Sequence, residues 1–467
     1  MLKKILIPLL ILLICVSAAS AGELYTPDDF TFTGGTGRVT ITCPEIRVSG
    51  EEILATVVFS SPHYEYVKVG DETYPTVCDD STSTAVIPAP VNRSFDILAC
   101  TTAMSTPHEI SYTLYIRVNA LADQVVPGLE WESDLPLQYA EGFTVSRFRG
   151  GYSLIDVRDG GKYLVVPREM TVPEGLDPSV TVLDQKPENI YLAATSAMSL
   201  FDALDALDLI RFFSLRQESW FVPHAADAMA AGKILFAGKY DTPDYEMLVK
   251  EDCGMAIEST MISHAPKVME LLEMLGIPVF VDRSSYESHP LGRTEWIKLY
   301  GVLTGREKEA EAYFAEQVEA LQEYQDTGLS VAFFYINVHG EAVVRSPADY
   351  IPRMIALAGG NYAMADMKAV EQGHASVSVS MEDFYAMAGD ADFLIYNADI
   401  SEPVRSVDEL IALNDLLAGF KAVKEGNVWC AGKELYQATD HVGAFITDVH
   451  RMLTGESGEM VFLTPVQ

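Results

Sequence analysis

Near residue 137 the texture of the chain changes, and this limits the possible folds more than any single motif does. Before that point, short β-branched or alternating runs such as Arg38-Val39-Thr40-Ile41-Thr42, Ala55-Thr56-Val57-Val58-Phe59 and Tyr112-Thr113-Leu114-Tyr115-Ile116 are separated by Gly, Pro and Asp. That pattern predicts a small all-β sandwich of Ig-like size over residues 25–125. A polar stretch from Gly128 to Leu135 reads as a linker. Beyond it, short apolar runs alternate with amphipathic helices, the arrangement of α/β layers. Strands are expected at Phe143–Val145 and Tyr163–Val166. Val268, Leu271, Leu272 and Leu275 fall on one helical face before Gly276, and Trp296, Leu299, Tyr300 and Leu303 repeat the spacing. Residues 306–326 contain neither Gly nor Pro and carry the stripe Ala310, Phe314, Val318 and Leu321, which predicts one long helix. A second α/β unit opens with Val331–Ile336, and its helix through Ile351, Met354, Ile355 and Ala358 stops at Gly359-Gly360. The reading is two α/β lobes (137–305 and 328–467) joined by a helix (306–327).

The start of the chain reads as an export signal over residues 1–21. Lys3 and Lys4 precede the apolar run Ile5–Val16, and Ala19-Ser20-Ala21 places cleavage before Gly22. Cys15 invites a lipoprotein reading, but Ile14 stands where that signal wants a small residue. Five cysteines remain, with no CxxC pair; in an oxidising compartment Cys100 could pair with Cys43 or Cys78. With 67 acidic against 32 basic residues the net charge is −35, which disfavours nucleic acid and anionic lipid as partners.

Three segments carry a resemblance. They are Ser284-Ser285-Tyr286-Glu287-Ser288-His289-Pro290-Leu291-Gly292-Arg293-Thr294-Glu295-Trp296-Ile297-Lys298-Leu299-Tyr300, Ala358-Gly359-Gly360, and Gly238-Lys239-Tyr240 with Pro243-Asp244-Tyr245-Glu246. Over roughly residues 137–467 the chain resembles the periplasmic-binding proteins for siderophores, haem and vitamin B12. The resemblance implies a bilobal α/β fold with one rigid linking helix and a ligand between the lobes. The β-domain looks like one often fused to the iron-transport branch. Also implied are a monomer without an intrinsic cofactor, carrying an iron chelate, haem or corrinoid as cargo, and an ABC permease with its ATPase as partners. An acidic residue of each lobe is expected to dock to permease arginines: Glu246 and Glu382, each opening a short helix about ten residues before a buried strand.

Ligands of α/β sheets meet the loops at strand C-termini. In the first lobe those loops carry Trp220, Lys239, Tyr240, Met261, His264, Arg283, Tyr286 and His289; in the second they carry Tyr335, Asn337, Arg345 and Tyr396. Tyr240, Tyr286, His264, His289 and Met261 are of types that ligate haem iron. Lys239, Arg283 and Arg345 suit carboxylates, and Trp220 offers a flat face. The structural alternatives are ordinary: His289 beside Pro290 reads equally as a helix cap, and Arg293 and Glu295 as a pair within their own helix. The other functions weighed are a receptor for a bare transition-metal ion, a secreted metal-dependent enzyme, and adhesion by the β-domain. There is no GxSxG, HExxH or Gly-rich phosphate loop.

Overall fold

The computed structural model describes residues 22–467, apart from 36, 50–51, 71, 93, 104–106, 119–120, 122–125, 368–375 and 399–401. The leader, its proposed cleavage site and Cys15 therefore lie outside the described residues. The chain divides into two units, Met1–Val125 and Val126–Gln467.

The first unit is all-β, as the alternating runs require. Its strands pair antiparallel in the order Glu23–Tyr25, Ile41–Ser49, Glu52–Phe59, Ser83–Pro88, Glu72–Cys78, Tyr64–Val69, Ser94–Thr101, His108–Arg117 and Asp29–Gly34. Ala55, Val57 and Phe59 alternate inward from one side, and Leu114 and Ile116 from another, into a single core. The pairing runs on through the strand Glu72–Cys78, whose two halves take different neighbours. Residues 72–75 of the strand Glu72–Cys78 pair with Tyr66–Val69, and residues 76–78 pair with Ser83–Ala85. Pro75, which has no N–H to donate, sits at that changeover.

The supposed linker belongs to the second unit. Trp131–Asp134 is a strand paired with Ser146–Phe148, the first of five in the order Trp131–Asp134, Phe143–Phe148, Tyr152–Val157, Lys162–Val166 and Val180–Asp184. Its polar residues face solvent only in part, which is why composition alone suggested a connection. The first lobe has a five-stranded parallel sheet in the order Leu235–Phe236, Ile210–Phe213, Ile190–Leu192, Ala256–Ser259, Val279–Asp282. The second lobe is built on Ser376–Val379, Ala342–Arg345, Ser330–Ile336, Phe393–Asn397, Val428–Ala431 and Leu463–Pro465, with Asn361–Tyr362 also pairing with Ser330–Val331.

Both lobes share one core with the helix Pro290–Thr304, all of whose residues are buried. Periodicity identified its apolar face but not its buried charges. Glu295 accepts hydrogen bonds from the backbone N–H groups of Gln138, Tyr139 and Ala140, and its carboxylate lies 3.0 Å from Lys298 Nζ. Lys298 also donates to the Pro136 carbonyl. Glu287 accepts from Glu141 N, Gly142 N and Trp296 Nε1. Two carboxylates thus fasten residues 138–142 onto this helix. The expected Arg293–Glu295 pair is not formed: Glu295 takes Lys298 and the backbone, while Arg293 reaches the second lobe.

The joining helix is shorter than expected, Glu307–Ala320. Ala310 and Phe314 are buried as its stripe predicted, and Gly301 lets it close on the preceding helix: a Cβ there would stand 2.7 Å from that of Ala310. After Ala320 the backbone finds better partners in the second lobe. Tyr324 N donates to Leu357 O, Thr327 N donates to Gly359 O, and the Tyr324 ring stacks on His450 at 3.7 Å. In the helix Pro266–Met274 only Val268 and Leu272 are fully buried; Leu271 and Leu275 of the expected face are exposed. The five described cysteines are unpaired, Cys78 exposed and the others buried. The pairing offered for Cys100 is not made: Cys43 Sγ is directed to the Glu45 carbonyl and Cys78 Sγ to that of Tyr64.

Candidate functional site

The lobes meet along a seam held by a few directional contacts. From the first lobe, Phe221 N donates to Gln437 Oε1, while Gln437 Nε2 donates back to the Ser219 carbonyl. Thr294 Oγ1 donates to Thr439 O, and Tyr313 OH to Asp440 Oδ2. The Arg293 guanidinium lies 3.9 Å from the centre of the Tyr350 ring. Asp349 caps the Tyr350–Leu357 helix by accepting from Ile351 N, and faces Arg345 at 3.9 Å. Burial raises its carboxyl above the usual range, an effect opposed by Arg345 and Arg293.

Beside these contacts a groove of 460 Å³ opens between Ser288 and His289 of the first lobe and Pro347–Asp349, Pro352, Arg353 and Tyr362 of the second. Arg353 and Ala356 are the exposed residues of an otherwise buried helix. His289 is positioned twice: its Nδ1 accepts from Leu291 N at the helix start, and its ring stacks on Tyr139 at 4.6 Å. Burial, followed by the Arg353 charge, lowers its pKa. The capping role read from Pro290 is therefore present.

Of the twelve residues expected to meet the ligand, His289 lines this groove and the other eleven are not among its lining residues. Trp220 follows the strand Ile210–Phe213 and packs on Phe213 at 4.6 Å; it is 6% exposed and its Nε1–H has no acceptor among the described residues. Exposed Lys239 and half-buried Tyr240 lie on the hairpin of Gly238–Lys239 and Thr242–Pro243. Met261 and His264 are exposed on the turn after Ala256–Ser259. Arg283 stacks over exposed Tyr286 at 4.8 Å. In the second lobe, Asn337 closes a turn through Glu341 and His339, half-buried Tyr335 flanks the core, and Tyr396 is buried against Phe334. Glu246 and Glu382 are both exposed in the first turns of short helices capped by Asp244 and Ser380.

Sequence reasoning missed Arg353, Asp349 and Gln437. The signal for Arg353 was its place, with Ala356, on the polar edge of a helix whose other positions are apolar. Glu258, six positions before His264 and so not on one helix face with it, is chemically unusual. It ends a central strand at 0% exposure with neither oxygen partnered among the described residues, and burial pushes its pKa up to about 8.

No protein-family model matches the chain. An uncharacterised lipoprotein of Methanocaldococcus jannaschii is 23% identical over 334 residues, covering 66% of this chain and 77% of that protein. Solved structures that align with the chain are described as periplasmic binding proteins for iron, haem or siderophores. A periplasmic haem-binding protein from Pseudomonas aeruginosa aligns at 15% identity and a TM-score of 0.48, over 60% of this chain and 98% of its own. One from Vibrio cholerae aligns at 19% identity and a TM-score of 0.45, over 57% and 98% respectively.

Proposed function

We propose that this chain is the extracytoplasmic binding component of an ABC importer for an iron chelate, haem or corrinoid. One observation carries the reading: two α/β lobes, traversed once by the chain between them, meet at a seam that holds a groove. Pockets between lobes at sheet C-termini are where such folds take small ligands. Elsewhere on the first lobe, Trp220, whose indole N–H has no partner among the described residues, and the stacked Arg283–Tyr286 pair are of types that suit a flat, anionic ligand. Exposed Glu246 and Glu382 offer one acidic docking point on each lobe for the permease. The lipoprotein name of the methanogen relative agrees with export.

Native mass spectrometry of protein recovered from its own cells tests the cargo. A bound tetrapyrrole, corrinoid or ferric chelate is expected, and a Soret band identifies haem. Recovery only of bare zinc or manganese would replace this reading with an ion receptor. Among the described residues no three His, Cys, Asp or Glu side chains are grouped so as to hold a metal ion, which favours the chelate reading.

A further inference from the structure

We infer that the seam groove is an oxyanion subsite, in which Arg353, His289 and Ser288 hold a carboxylate carried by the ligand. This rests on the seam being the ligand site, and it adds the chemistry the ligand must present there. Arg353 has no hydrogen-bond or carboxylate partner among the described residues, although 67 acidic residues surround 32 basic ones in the chain. An unpaired guanidinium in so acidic a protein is a fork of donors left open, and carboxylate is the group that matches it in two bonds.

His289 contributes a second donor by elimination. Leu291 N occupies Nδ1 as an acceptor, so the neutral ring carries its proton on Nε2. Burial and the Arg353 charge both favour that neutral ring. Ser288 supplies a hydroxyl on the same wall. The acids near the groove are already engaged or set back. Asp349 takes Ile351 N and faces Arg345; Asp326, beside the groove, accepts from Asn361 Nδ2; Glu323 influences His289 without bonding to it. Arg353 and, in this tautomer, His289 Nε2–H can only donate while the Ser288 hydroxyl can do either, so the wall favours an acceptor, and the Arg353 charge favours an anionic one.

Calorimetry on the full exported chain at low salt, with citrate and inorganic phosphate as probes, tests the assignment. Citrate is expected to bind, with Arg353→Gln weakening it about tenfold or more and Arg353→Lys by less, since lysine lacks the fork. Lys308→Gln, on the outer face of the joining helix, should leave it unchanged. Citrate binding much tighter than phosphate marks a ligand-borne carboxylate, whereas equal binding assigns the same subsite to free anions. Nitrogen-15 spectra should show His289 Nε2–H shifting as citrate is added. Failure of the unmodified chain to bind either probe at millimolar concentration would overturn the inference. So would an Arg353→Gln variant that binds citrate as well as the parent. If Arg353→Gln abolishes citrate binding while haem and ferric chelates never bind the parent, the subsite stands and the cargo reading falls. If a chelate binds the parent and citrate binding ignores Arg353, only the subsite falls.

Discussion

Two glutamates of the second unit share full burial and nothing else. Glu295, in the helix Pro290–Thr304, is surrounded by three backbone N–H donors and the Lys298 ammonium. Glu258, at the end of Ala256–Ser259, has Tyr191 and Tyr245 close by and no hydrogen bond to either oxygen. Removing a carboxylate from water costs several kcal/mol, and only partners offset that cost. Glu295 is thus a fully partnered fastener, whereas burial without partners pushes Glu258 toward its neutral form. Burial alone says little about what a carboxylate does; its inventory of donors decides.

That contrast yields graded expectations, read by urea unfolding through tryptophan fluorescence, since all four tryptophans lie in the second unit (Trp131, Trp220, Trp296 and Trp429). Glu295→Ala should cost most, about 3–5 kcal/mol, because it strands the buried Lys298 charge and three N–H groups. A loss under about 1 kcal/mol would show that water or rearrangement replaces the fastener. Glu287→Ala should cost about 2–3 kcal/mol by leaving Glu141 N, Gly142 N and Trp296 Nε1 without their acceptor. Glu258 should show itself in the pH dependence. Between its ordinary 4.5 and about 8 the folded chain keeps a proton that the unfolded chain has released. Stability therefore falls as pH rises through that window, and Glu258→Met should flatten the slope. The smallest effect is that same substitution at pH 5, within about 1 kcal/mol of the parent. Destabilisation by more than about 2 kcal/mol at pH 8.5 would mean that Glu258 has a favourable partner when ionised, and the contrast with Glu295 would collapse.

The alternation of elements, a helix stop just before Gly359-Gly360, the His289 cap and the matched contexts of Glu246 and Glu382 were legible from residue spacing, because each rests on neighbours within a few positions. What was hidden depends on distant partners. Glu295 read as the partner of nearby Arg293 because its actual donors, Gln138 to Ala140, lie about 155 residues away in sequence. The helix after Arg306 looked continuous because nothing local stops it at Ala320; backbone acceptors at Leu357 and Gly359 do. Arg353 could be placed on a helix edge from sequence, but the wall opposite it, Ser288 and His289, belongs to the other lobe.

The early end of the joining helix has a mechanical meaning. On one side, Glu307–Ala320 is clamped against the first-lobe helix through the Gly301–Ala310 approach. On the other, the strap is anchored to the second lobe from Tyr324 onward. Between these two sets of anchors the backbone has only Leu321, Gln322 and Glu323, and the seam contacts of Gln437, Thr439 and Asp440 tie the lobes a second time. So short a connection leaves little slack between the anchors, so the length of the chain here helps to set the spacing across the seam. Lengthening it by a single residue would detune the groove without touching any residue that lines it.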